Sequence, residues 1–152
     1  MKSTYQFVFF FLITISVSSQ EFSKEHVDIK KVTLGYIESF FENDSKNMLS
    51  YLHPELAKRG ISKRKGENKF YFENLSLNKL TEMLKKKKVL PKAQQKNSVL
   101  ILDVFHHTAS VRLKTGYPGK MEWIEYIHLS KVDNTWLITN IIWDYFPRKK
   151  RN

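Results

Sequence analysis

The sequence predicts one α+β domain, with its helices first and its strands last. Two observations carry this. Apolar residues recur at spacings of three and four in the first half, which is the period of a helix buried on one face. From Ser98 onward the period changes to two, with turn residues between the runs, which is the pattern of antiparallel strands. Helices and strands segregated along a chain pack as α+β rather than as alternating βα units.

The elements follow in order. Over residues 27–43, Ile29, Val32, Tyr36, Ile37, Phe40 and Phe41 form one apolar stripe, with Lys30, Lys31, Glu38 and Glu42 largely off it. Asn43-Asp44-Ser45 ends this helix and can cap the next. That second helix is expected from about Lys46 to His53, with Met48, Leu49 and Leu52 inward and Pro54 as its stop. Gly60 and Gly66 punctuate a basic stretch that suggests no element, and Lys69–Glu73 looks like a short aromatic strand. Ser76 can cap a third helix, Leu77 to about Lys87, with Leu75 and Leu80 placed as a hydrophobic staple. Val99–His106 is a strand apolar enough to be central, and His107-Thr108 turns the chain. Ala109–Thr115 is the next strand, and Gly116-Tyr117-Pro118-Gly119 the next turn. Trp123–Val132 and Thr135–Phe146 are joined by Asp133-Asn134, which suits a two-residue hairpin. No repeat or internal domain boundary interrupts residues 24–147.

Before this domain, Lys2 precedes an apolar run from Phe7 to Ile15 and Val17, and small serines follow at 16, 18 and 19. Those are the three parts of a secretory signal, so residues 1–20 are expected to be removed on export. The run is about a dozen residues, short of the roughly 20 that a membrane-spanning helix needs. The mature domain is expected in the periplasm or outside the cell, with no stable membrane anchor. The chain has no cysteine, so a lipid-modified cysteine, a disulfide, a thiol nucleophile and a thiolate metal site are all excluded. Its 132 residues after residue 20 are enough for one domain to hold together by its core alone.

The net charge is +11, and Lys85–Lys88 and Arg148–Arg151 are its densest runs. A basic surface attracts phosphates, anionic lipid or acidic glycans. Solvated helix ends and a basic C-terminal tail, residues 148–152, explain the same runs. No aromatic nucleic-acid signature accompanies them, so nucleic acid is not an expected partner.

Two segments resemble a known family. Tyr51-Leu52-His53-Pro54-Glu55-Leu56-Ala57-Lys58-Arg59 is similar to the segment after the second helix in bacterial nuclear transport factor 2-like proteins. Tyr126–Trp143 is similar to the strand, turn and strand of the same proteins, with Trp136 after the turn and Trp143 near the end. The resemblance covers about residues 24–147 and is nearest to the branch named for lumazine binding, akin to SnoaL-like proteins. Relatives usually have glycine where this chain has Asn134-Thr135; asparagine tolerates the left-handed geometry. The resemblance implies a cone, a strongly bent antiparallel sheet wrapped around a long helix. Relatives include isomerases, cyclases, dehydratases and proteins that only bind, and many dimerise through the sheet. Fold alone does not choose among these.

The mouth of such a cone is the expected ligand site. Tyr36 and Phe40 on the first helix, and His53 and Tyr71 beyond it, are candidate lining residues. Tyr126, His128, Asn140 and Trp143 on the last two strands complete the set. An isomerase would need an acidic base in an apolar pocket and a hydrogen-bond donor for the developing oxyanion. Asp103 as base, with Tyr126 or His128 as donor, is the version this sequence offers. Asp103 ending a strand and Tyr126 packing in the core explain the same residues without chemistry. His106 and His107 point to opposite faces of a strand, so no metal site is expected, and no motif calls for a cofactor. The expected function is therefore exported binding of a small organic ligand, with enzymatic use of the pocket or anionic-surface binding as the alternatives.

Overall fold

The computed structural model describes residues 24–63 and 67–146. The proposed export segment and the basic tail lie outside the described residues. Helix α1 covers residues 24–42, and α2 follows at Ser45–Ser50. Strands β1 (Leu52–Lys63) and β2 (Phe70–Leu75) precede α3 (Leu77–Lys86). A 3₁₀ turn (Lys92–Gln94) leads into β3 (Ser98–Phe105), β4 (Thr108–Tyr117), β5 (Met121–Val132) and β6 (Thr135–Tyr145).

The strands form one curled, unclosed sheet in the order β2-β1-β6-β5-β4-β3. All neighbours are antiparallel except β1 and β6, which run parallel. This parallel pair joins the segment after the helices to the last strand of the chain. The inner face is buried under α1, whose Ile29, Tyr36, Ile37, Phe40 and Phe41 belong to the same core as Val111, Leu113, Ile127, Leu129, Ile138 and Ile141. Strands β4, β5 and β6 alternate buried and exposed residues, as the two-residue period requires. Among the described residues, no helix is long and apolar enough to cross a membrane.

Local chemistry sets the element ends. Asn43 has φ 62, the left-handed geometry that asparagine tolerates, and it stops α1. Asp44 then caps α2, accepting from the Asn47 amide at 2.9 Å. Ser76 caps α3 by accepting from the Lys79 amide at 3.3 Å, with Leu75 and Leu80 both buried beside it. Ser76→Ala should cost about 1 kcal/mol, measurable by urea denaturation. Asp133 and Asn134 have φ 46 and 61, so the β5–β6 hairpin closes through two left-handed residues as predicted.

Three expectations change. The second helix ends at Ser50; His53 and Pro54 lie in β1, which the sequence pattern had not suggested. Strand β3 is an edge strand rather than a central one, because Leu100 and Leu102 point outward and stay exposed. The turn after it falls at His106-His107, with His106 at φ 49.

The seam between α1 and the end of α3 holds a half-buried cation. Lys87 Nζ donates to the Phe41 carbonyl at 3.1 Å and lies over the Phe40 and Phe41 rings. Burial pushes its pKa down to about 8. The unfolded chain then binds the proton more tightly, so this group makes stability rise with pH above about 8, up to its unfolded value near 10.5. Lys87→Met should remove that rise from the pH profile of urea denaturation.

Candidate functional site

The register of the sheet sorts the inner face into layers. One layer runs Leu113, Glu125, Trp143, Gly60 across β4, β5, β6 and β1. The next runs Val111, Ile127, Ile141, Lys58. On the other side of the first layer, Thr115, Trp123 and Tyr145 are aligned. The inner face is therefore aliphatic toward one end and aromatic with buried charge toward the other.

At the polar end, Lys58 Nζ meets Glu125 Oε1 at 2.5 Å. The same ammonium donates to the Tyr36 hydroxyl at 2.9 Å, and Trp123 Nε1 donates to Glu125 Oε1 at 3.1 Å. Lys58, Glu125 and Trp143 are only 4 %, 2 % and 5 % exposed. Burial pulls the Lys58 pKa down, against the charge and hydrogen bond of Glu125. Burial, followed by the Glu125 charge, pushes the Tyr36 hydroxyl well above its ordinary range. The cluster thus holds a cation and an anion away from water, with the tyrosine kept neutral.

Two atoms of this cluster lack partners among the described residues. Glu125 Oε2 accepts nothing and Trp143 Nε1 donates to nothing, although both are buried. Leaving a buried polar group unsatisfied costs about 1–3 kcal/mol each. Aromatic rings cluster at this end of the inner face. Trp143 and Tyr145 meet edge-on at 5.1 Å, Trp123 and Tyr145 at 6.1 Å, and Phe41 lies 5.8 Å from Trp123. Tyr145 is 40 % exposed, so it marks where this end of the inner face reaches solvent. Gly60 makes room for Trp143, since a Cβ there would lie 2.1 Å from the indole Cδ2.

Of the residues expected to line the site, Tyr36, Phe40 and Trp143 lie on the inner face. The others do not join them. Tyr126 and His128 alternate with the buried residues of β5 and are exposed on the outer face. His128 Nδ1 pairs there with Asn140 Nδ2 at 3.1 Å. His53 takes a hydrogen bond on its own ring from the Glu55 amide at 3.2 Å. Tyr71 sits on edge strand β2 and donates to Glu67. Asp103 is exposed at the irregular pairing between β3 and β4. An acid–base site built on Asp103, Tyr126 and His128 would lack the apolar pocket that such chemistry needs. The structure places all three on the exposed side of the sheet.

Sequence reasoning missed Lys58, Gly60 and Glu125 as candidate site residues. The one available signal was a glutamate in register with the apolar positions of Trp123–Leu129; an inward charge on a strand marks either a partner or a site. Among the described residues, no group of three or more histidine, aspartate or glutamate side chains could hold a metal ion. In the lysine run, Lys85 pairs with Glu82, while Lys92 nearby pairs with Glu38 at 2.6 Å.

A family model described as "Putative lumazine-binding" matches residues 24–144. The chain belongs to this family. Its fold is that of the nuclear transport factor 2-like proteins. A protein of that class from Shewanella baltica OS155 is 20 % identical, with a TM-score of 0.69 over 83 % of this chain and 97 % of its own. One from Methylobacillus flagellatus KT is 16 % identical, with a TM-score of 0.65 over 82 % and 94 %. A "Putative Scytalone Dehydratase" from Novosphingobium aromaticivorans DSM 12444 is 14 % identical, with a TM-score of 0.56 over 88 % and 92 %. These identities carry the fold and not the activity. No curated protein is detectably similar in sequence.

Proposed function

We propose that this family member is an exported domain that binds a small organic ligand at the polar end of its inner face. The supporting observation is the buried Lys58–Glu125 pair beside two buried atoms, Glu125 Oε2 and Trp143 Nε1, that no described residue satisfies. A buried ion pair adds little to stability over an apolar replacement, so its retention on this face favours recognition. The family description names a small molecule, which agrees with this reading. The apolar run behind Lys2 supports export. Native mass spectrometry of the protein from its own host should show a retained organic molecule. Bare protein mass under conditions that preserve the fold would contradict the reading.

A second surface supports self-association. Leu100, Tyr126 and Ile142 fall in one row across the outer face, at 47 %, 49 % and 49 % exposure. Arg112 stands between Leu100 and Tyr126 in this row, and Arg59 follows Ile142. Sedimentation velocity should show a dimer that Tyr126→Glu dissociates; a monomer at high concentration would contradict it.

A further inference from the structure

The lysine run at the end of α3 is not uniform. Lys85, Lys86 and Lys88 are exposed, and Lys85 pairs with Glu82. Lys87 is half-buried and caps the helix. Two hydrogen bonds fix its stretch of chain to the end of α1. The Lys87 carbonyl accepts from Asn43 Nδ2 at 2.6 Å, and the Leu90 amide donates to the Phe41 carbonyl at 2.9 Å. The Lys87 ammonium also donates to the Phe41 carbonyl, and it lies 4.8 Å from the Phe40 ring centroid and 5.5 Å from that of Phe41. Lys58, Lys92 and Lys131 each pair with a glutamate. Among the described residues, no carboxylate pairs with Lys87.

An amine without a counter-charge, set against rings and away from water, is the arrangement that activates lysine as a nucleophile. The protonated form has no lone pair to attack with. Burial is the cause of the lowered Lys87 pKa of about 8, so roughly a quarter of the amine is neutral near pH 7.5, against about one part in a thousand for an ordinary lysine. Half-burial also leaves the nitrogen open to a small molecule, whereas Lys58 is only 4 % exposed.

We infer that Lys87 is a covalent capture site for small aldehydes, separate from the Lys58–Glu125 cluster. Its nitrogen attacks the carbonyl carbon to give a carbinolamine. Loss of water, which carries away the aldehyde oxygen and both amine hydrogens, leaves the imine. This site needs no ligand on the inner face, so it stands or falls apart from the reading above.

The test treats the folded protein near pH 7.5 with limiting acetaldehyde and cyanoborohydride. Hydride from the cyanoborohydride reduces the imine carbon, which leaves a stable ethyl-lysine. Peptide fragmentation in a mass spectrometer reads the label at each position of the run. Lys87 should be labelled about tenfold or more faster than Lys85, Lys86 and Lys88. In denaturing urea that lead should vanish, because the four lysines then share one environment. Labelling of Lys87 no faster than its neighbours in the folded protein, or a lead that survives in urea, would overturn the inference.

Discussion

Replacing Glu125 with alanine should destabilise the domain by about 3–5 kcal/mol, because the Lys58 ammonium is left buried without its counter-charge. Only the Tyr36 hydroxyl would remain to it among the partners found here. Burial already pulls the Lys58 pKa down, so the variant should regain part of its loss as pH rises. The sign follows from proton binding. With the folded pKa depressed below the unfolded one, the unfolded chain holds the proton more tightly, and raising pH through that window favours the fold. The double replacement Lys58→Met, Glu125→Leu should be close to wild type in stability, since apolar residues of similar volume usually replace a buried ion pair without loss. That same double variant should retain no ligand. Urea denaturation of the two single variants and the double variant, at several pH values, measures the stability terms. A double variant as unstable as the sum of the singles would mean that Lys58 and Glu125 do not compensate each other.

The second large effect is expected at Gly60. This glycine lies in mid-strand, where alanine would ordinarily stabilise the fold by restricting the unfolded chain. Here the added Cβ collides with the Trp143 indole. Overpacking of this kind costs about 1–3 kcal/mol, so the expected sign is destabilising. The indole must move, and with it the Nε1 atom proposed to hold the ligand. Gly60→Ala should therefore lose ligand binding beyond what its loss of stability explains. Thermal denaturation and ligand retention on the same sample separate the two.

The parts of the fold that were legible in the sequence are those where local chemistry and burial agree. The α1 stripe, the Ser76 cap with its Leu75–Leu80 staple, and the Asp133-Asn134 hairpin each announce themselves. Strand β1 did not, and the reason is physical. Its inward positions include Lys58 and Gly60, so the alternation that reveals a half-buried strand is replaced by a charge and a gap. Pro54 added a helix-stop signal to a segment that is already extended. The site residues themselves thus concealed the strand that carries them, as happens where function overrides local preference. Strand β3 misled in the other direction. Leu100 and Leu102 made it look buried on both faces, whereas they lie on the exposed side of an edge. The outer placement of Tyr126 and His128 was not legible, because alternation shows which residues share a face but not which face is inside. Trp143 was found by its residue type and Glu125 was not, since a lone carboxylate in a strand reads as surface until a buried lysine is brought to it from far along the chain.

The most direct measurement is a crystal structure of the protein purified from its own host. The account predicts non-protein density spanning Glu125 Oε2 and Trp143 Nε1, bounded by Trp123 and Tyr145. A lone water bonded to both atoms, or a direct hydrogen bond from the Trp143 indole to Glu125, would contradict it.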